Sequence, residues 1–390
     1  MQSPTSDPTA KIPAPLRAIR QELERSRQEP SNLETLKDAW HAALVEAKTH
    51  IPGICIESGG EIVHLGGISP GCAACKTGTW DCIFITPQCN LKCEFCYSPQ
   101  ALPGDYIGSV FGSTPEQIAA NHACTRITGV SFSGGEPFLE PRKLLAWVAW
   151  FREHKPGQYT WVYTNGLLVD EGILQELGEL GLDEIRFNTA ATNYDHPVVM
   201  NNLALAARFI PNITVEIPAI PEHAGKLLSC LQDWSARGVK YLNLHELMYE
   251  PGTLSSSMDG KRQMVILADG HRTEINPESR LLTWEVMKKV VSASLALAVN
   301  DCSLQSKLLQ IRGRRRSLSF LTGEPHEKLA GDETLESFCV YRDENDYHFI
   351  HPDTWLDVRS RFPGYKVVRI VREAPLTLNG RRRWIACEEY

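Results

Sequence analysis

Between residues 82 and 249 six short apolar runs alternate with amphipathic stretches, and this rhythm constrains the fold more than any other feature. The runs are DCIFIT, GVSFSGG, YTWVYT, DEIRFNT, ITVEIPA and YLNLHEL. Between them stand TPEQIAANHACTRI, PRKLLAWVAWFREH, EGILQELGELG, HPVVMNNLALAARFI and HAGKLLSCLQDWSARG, which read as helices. Strands that alternate with helices form a parallel sheet with the helices outside. The runs lack strict in-out alternation, as strands covered on both faces do. An open (β/α)6 arc, a partial TIM barrel, is the preferred geometry, and a doubly wound sheet is the alternative.

The flanks differ. Residues 1–50 read as a helical N-terminal extension, and 51–81 as a loop rich in glycine and cysteine. Residues 250–337 read as a linker with turns, then the helix LLTWEVMKKVVSAS, the short strand LALAVN and the basic helical segment KLLQIRGRRR. Residues 338–390 read as a small α+β C-terminal domain or cap, with a helix near 354–361 and a hairpin turn at Asn379-Gly380. A chain of 390 residues exceeds what one simple core holds, roughly 250–300 residues.

The formal net charge of −7 disfavours bulk nucleic-acid binding. No run of about 18 apolar residues could span a bilayer. MQSPTSDPTAKIPAP lacks the apolar segment of a secretion signal, so the expected location is cytoplasmic. In that setting twelve cysteines argue for metal before disulfides. Cys72, Cys75, Cys82, Cys89, Cys93 and Cys96 crowd into one stretch, whereas Cys124, Cys230, Cys339 and Cys387 are scattered and read as small buried hydrophobes.

Cys89, Cys93 and Cys96 follow the first strand in TPQCNLKCEFCYSP. Thiolates bind iron strongly, and short spacings preorganise a cubane site. Three ligands leave one iron of a cubane open, which suits chemistry on a molecule bound there. Ser133-Gly134-Gly135-Glu136-Pro137 follows the second strand, where glycines permit close backbone approach and Glu136 can accept from an ammonium group. Thr164 and Asn165 end the third strand, Asn188 the fourth, and Glu216 lies in the fifth; all can hydrogen-bond a polar ligand.

The CNLKCEFC run, with an aromatic before its third cysteine, resembles the CxxxCxxC signature of the radical S-adenosylmethionine (radical SAM) superfamily, and SGGEP resembles that superfamily's cofactor-binding GGE motif. The resemblance implies a radical SAM core over 82–249, a [4Fe–4S] cluster on Cys89, Cys93 and Cys96, and S-adenosylmethionine held by Ser133, Gly134, Gly135, Glu136, Thr164, Asn165, Asn188 and Glu216. It implies a one-electron donor such as flavodoxin or ferredoxin, cleavage of the cofactor to a 5′-deoxyadenosyl radical, and hydrogen abstraction from a substrate. The order N-x-C-S…K…Q-x-R, with DEIRF and NLHEL, looks like a branch related to pyruvate formate-lyase activating enzymes. Tyr97, directly after the third cysteine, is similar to a residue of cobalamin-dependent radical SAM methyltransferases, where it can approach the open iron; the chain carries no DxHxxG cobalamin signature.

On the substrate side, Glu246, Lys307 and Tyr97 are the catalytic candidates, with Asn243, His245, Gln310 and Arg312 as candidate substrate contacts. Cys72, Cys75 and Cys82, with Cys55 or Cys302 as a fourth ligand, are candidates for an auxiliary iron or zinc. Modification of a peptide or protein side chain is the leading reaction. Cobalamin-dependent methylation, action on a small amino acid or natural-product intermediate, and a non-enzymatic iron–sulfur electron carrier are the alternatives.

Overall fold

The computed structural model describes residues 12–26, 31–96, 108–267, 271–330, 333–354, 360–378 and 382–389. Two helices open it, α1 (Ala14–Ser26) and α2 (Leu33–His50). A hairpin of β1 (Ile54–Glu57) and β2 (Ile62–Leu65) follows, then a short helix α3 (Pro70–Lys76). The alternating region comprises β3 (Trp80–Thr86), α4 (Pro115–Ala123), β4 (Gly129–Gly134), α5 (Pro141–His154), β5 (Tyr159–Thr164), α6 (Glu171–Glu179), β6 (Glu184–Phe187), α7 (Pro197–Ala206), β7 (Asn212–Ala219), α8 (Ala224–Ala236) and β8 (Tyr241–Glu246). Next come the hairpin β9 (Gln263–Ile266) and β10 (Arg272–Ile275), then α9 (Ser279–Ser292), β11 (Ala298–Cys302) and α10 (Leu304–Thr322). The chain ends in β12 (Lys328–Leu329), β13 (Thr334–Tyr341), β14 (Tyr347–Ile350), β15 (Lys366–Glu373) and β16 (Arg383–Glu389). Among the described residues no helix is long and apolar enough to cross a membrane.

The described residues fall into two compact units, one drawn from 31–310 and one from 1–30 and 311–390. In the larger unit a nine-stranded sheet runs β1-β2-β11-β8-β7-β6-β5-β4-β3. All pairs from β3 to β8, and β8 with β11, are parallel. Strands β3 to β8 stand in sequence order with no reversal, so the doubly wound alternative is excluded. LALAVN joins the arc as β11, a further parallel strand beside β8.

Residues 51–81 are not the loop that their glycine and cysteine content suggests. Ile54-Cys55-Ile56-Glu57 and Val63-His64-Leu65 alternate apolar and polar residues, and the two strands pair antiparallel. Gly59 and Gly60 turn the hairpin at φ 64° and 93°, where an L side chain would be strained. Ser69 then caps α3, accepting the Cys72 amide at 3.1 Å, with Pro70 in the first turn. The 250–280 linker likewise contains a hairpin, β9–β10.

Helix α3 packs against β3, β4 and β5. A Cβ on Gly71 would lie 2.4 Å from Arg186 Nη2 and 3.2 Å from Trp161 Cδ2, so only glycine lets the helix approach this closely. The carboxyl ends of the strands are the end at which such arcs do chemistry.

The two opening helices part company. Trp40 of α2 packs edge-on against Trp284 of α9 within the larger unit, ring centroids 5.8 Å apart. In the smaller unit Leu16, Ile19 and Leu23 of α1 form a core with Cys339, Tyr341, Val368 and Ile370. That unit's sheet is antiparallel, ordered β12-β13-β15-β16 with β14 on β13. Residues 355–359 and 379–381 lie outside the described residues, and with them most of the helix expected near 354–361 and the turn at Asn379-Gly380.

Candidate active site

The carboxyl ends of β3 to β8 enclose a cavity of about 260 Å³. Cys89, Cys93 and Cys96 line it from the segment after β3. Ser133, Gly134, Gly135 and Glu136 line it from the end of β4, Thr164 and Asn165 from β5, and Asn188 from β6. Glu216 of β7 and His245 of β8 complete the polar wall. Residues far apart in sequence thus meet because most sit where a parallel strand gives way to its loop, with Glu216 and His245 still within their strands.

The glycines are required by a close crossing of two backbones. The Gly135 amide donates to Thr86 O at 2.7 Å and the Glu136 amide to Gln88 O at 2.8 Å. A Cβ would lie 2.2 Å from Thr86 O at Gly134 and 1.9 Å from Gln88 O at Gly135. Gly134 also sits at φ 122°. The cysteine segment is therefore anchored directly on the glycine turn.

Glu136 is buried, and burial raises its pKa. Its Oε2 accepts the Asn165 amide at 2.7 Å; its Oε1 accepts Thr164 Oγ1 at 2.9 Å and the Phe138 amide at 3.1 Å. The carboxylate ties the end of β4 to the end of β5. Asn165 Nδ2 in turn donates to Asn90 Oδ1 at 2.7 Å, carrying the brace into the cysteine segment.

Burial pushes the Cys89 thiol up, and it pushes Cys93 up to about 12, with Cys96 and Cys89 adding to the rise. The raised Cys89 and Cys93 thiols ionise more readily with a cation beside them, which is what a metal cluster provides. Phe95, 8 % exposed, lines the same cavity and screens it from water. The donor set and the side-chain-free glycine wall fit an iron–sulfur cluster with a small polar ligand.

Beneath the cavity lies a buried charge network. Arg186 donates to Glu216 Oε2 at 2.6 Å, Ser69 Oγ at 3.0 Å and Glu184 Oε2 at 3.2 Å, and its guanidinium lies 4.8 Å from the Trp161 ring centroid. Burial opposes ionisation of Glu216, but Arg186, His245 and Asn243 together outweigh it and draw the carboxyl down to about 2. Arg186 and Tyr163 both line the cavity and were not among the sequence candidates. The signal for Arg186 was present: EIRF is buried throughout, and a charge inside such a strand needs a partner on its own face.

The remaining candidates among the described residues are not in the cavity lining. Glu246 is buried with Oε2 accepting the Leu304 amide at 2.7 Å, at the start of α10 and away from the cavity wall. Lys307 Nζ lies 3.1 Å from Met248 Sδ, and Gln310 Nε2 lies 3.9 Å from Cys302 Sγ. Asn243 is buried and accepts from Asn300 Nδ2. Arg312 belongs to the smaller unit. Tyr97 lies outside the described residues. Cys72 and Cys75 stand one turn apart on α3, Cys82 is on β3, and Cys302 ends β11 opposite His245. Cys55 is on β1 opposite His64.

The profile of the Radical SAM superfamily matches residues 83–223. A Methanocaldococcus jannaschii protein named as a candidate glycyl-radical enzyme activating enzyme is 25 % identical over 288 residues, 71 % of this chain and 74 % of that protein. The Fe-coproporphyrin III synthase of Methanosarcina barkeri is 32 % identical over 101 residues, 26 % of this chain and 24 % of the synthase. Among solved structures, Streptococcus suis SuiB bound to S-adenosylmethionine is 16 % identical with a TM-score of 0.44, over 73 % of this chain and 60 % of SuiB. The chain thus spans less than two thirds of SuiB's length. The segment matched by the Radical SAM superfamily profile runs from β3 to the turn before α8 and carries both the cysteine segment and the glycine wall.

Proposed function

We propose that this chain binds a [4Fe–4S] cluster and S-adenosylmethionine in the cavity and abstracts hydrogen from a peptide or protein side chain. The observation that carries the reading is that one cavity gathers Cys89, Cys93, Cys96 and the Gly134–Glu136 turn. The M. jannaschii relative, named for activation of a glycyl-radical enzyme, supports a polypeptide substrate.

Cys89, Cys93 and Cys96 would hold the cluster. When bound, it supplies the electron for reductive cleavage of the sulfonium. An external one-electron donor such as a flavodoxin or ferredoxin is required. Gly134 and Gly135 leave the wall free of side chains, so a ligand's ammonium meets backbone carbonyls there. Thr164, Asn165 and Asn188 offer hydrogen bonds to the polar parts of a nucleoside. Phe95, Ile217 and Pro218 line the cavity and limit water, which protects a reactive intermediate.

The test is anaerobic reconstitution with iron, sulfide and dithionite, followed by S-adenosylmethionine and a deuterated peptide or protein encoded beside the gene. Formation of 5′-deoxyadenosine carrying substrate deuterium is the expected outcome. No 5′-deoxyadenosine from a fully loaded cluster would overturn the reading. Cys93→Ala removes the cluster and the cleavage together.

A further inference from the structure

A second group of metal-binding side chains lies on the β1–β2 hairpin. Cys55, Glu57 and His64 each bring one ligating atom within 4.8 Å of the others, the only such group among the described residues. The ladder explains why. Cys55 stands directly opposite His64, which places their Cβ atoms about 4.5–5.5 Å apart. Glu57, two residues on, projects from the same face. Cys55 Sγ donates to Glu57 Oε1 at 3.2 Å. In sequence, Cys55 is one candidate partner for Cys72, Cys75 and Cys82; the hairpin sets it beside a carboxylate and an imidazole instead.

The frame is held before any ligand arrives. β2 pairs with β11 on its far side, with His64 opposite Asn300. At the hairpin tip, Gly60 O accepts Arg280 Nη2 at 3.0 Å. Arg280 is 1 % exposed and is fixed by Asp301 at 2.8 Å and Gln305 at 2.6 Å. Three ligands on a clamped two-stranded frame need little reorganisation to close on an ion.

We propose that Cys55, Glu57 and His64 bind one zinc-class divalent cation, with water in the fourth position. Thiolate, imidazole and carboxylate together suit tetrahedral Zn²⁺, whereas the all-thiolate set of Cys89, Cys93 and Cys96 suits iron–sulfur. The cation replaces the proton that Cys55 shares with Glu57, and that proton leaves to solvent. The Gly67 amide donates to His64 Nδ1 at 3.2 Å, so coordination gives up one long hydrogen bond, through either ring nitrogen. The ion would staple the antiparallel pair that extends the sheet beyond β11.

Cobalt(II) is the probe, because thiolate–cobalt charge transfer reports a cysteine ligand directly. The full chain is first loaded with its [4Fe–4S] cluster, so that Cys89, Cys93 and Cys96 are occupied, and then titrated anaerobically. The expected result is one equivalent of cobalt, with charge transfer that disappears in Cys55→Ser. His64→Ala and Glu57→Ala should each weaken binding by about tenfold or more. Glu57 is exposed, so its variant keeps the test valid if His64→Ala fails to fold. Cys124→Ser, at an exposed cysteine outside the triad, should bind as the parent does. Absence of cobalt binding, or charge transfer that survives in Cys55→Ser, overturns the proposal.

Discussion

His245 Nε2 lies 2.7 Å from Glu216 Oε1 in the cavity wall, and the next strand sets Cys302 opposite the same histidine. Burial opposes charge on His245, but Cys302 and Glu216 outweigh it and carry its pKa up to about 9. Burial raises the Cys302 thiol, but His245 outweighs that and brings it down to about 7.

These two titrations pull stability in opposite directions. A histidine raised from 6.5 to about 9 stabilises fully below 6.5, and that contribution is lost as pH rises through about 9. A thiol lowered from 9.0 to about 7 stabilises above 9.0, and that contribution is lost as pH falls through about 7. Between about 7 and 9 the two offset. Cys302→Ser removes the second and also the larger of the two supports for the raised histidine, leaving Glu216 alone against burial. The His245 pKa, read by NMR titration, should therefore fall in Cys302→Ser. An unchanged His245 pKa in the variant would refute the coupling.

Glu136→Ala tests the brace between β4 and β5. Its loss leaves the Asn165 amide and Thr164 hydroxyl without their acceptor in a buried setting, at a cost of roughly 2–3 kcal/mol. The cysteines stay in place, so iron content after reconstitution should match the parent, while the dissociation constant for S-adenosylmethionine rises. Calorimetric titration reads the binding and urea unfolding the stability. A variant that binds S-adenosylmethionine normally would confine Glu136 to structure.

Gly135→Ala should be more damaging than its size suggests. The added methyl would meet a backbone carbonyl of Gln88, which cannot rotate away as a side-chain tip could. Overpacking of this kind costs about 1–3 kcal/mol and would push the cysteine segment off the glycine turn. Iron content should fall along with stability. Full cluster loading in Gly135→Ala would show that the crossing is dispensable.

The arc was legible in sequence because six buried strands alternate with amphipathic helices, and that pattern needs no knowledge of tertiary contacts. The cavity was legible for a related reason: Cys89, Gly134, Thr164 and Asn188 all follow strand ends, and parallel strands bring their carboxyl ends together. What escaped was set by neighbours distant in the chain. Gly59-Gly60 reads as loop, yet the paired strands on either side make it a hairpin turn. The strand's period of two already sets Glu246 and His245 on opposite faces in the sequence, but that the Glu246 face meets α10 is fixed by a distant segment. The separation of α1 from α2 depends on which sheet each apolar stripe meets, and local periodicity carries no information about that.

Arg186 is the cation on which the floor of the cavity depends. Glu184 is fully buried and Glu216 nearly so, and both face this guanidinium. Arg186→Met keeps most of the volume but leaves buried Glu184 without its cation and Glu216 with His245 alone as counter-charge, which should cost about 3–5 kcal/mol in urea unfolding. With Arg186 gone, only His245 and Asn243 oppose the upward push of burial on Glu216, so its pKa rises and part of the penalty should vanish as pH falls and Glu216 protonates. Adding Glu184→Gln to Arg186→Met removes one stranded charge and should restore part of the loss. If the double variant were no more stable than Arg186→Met, packing against Trp161 rather than charge would be what Arg186 supplies.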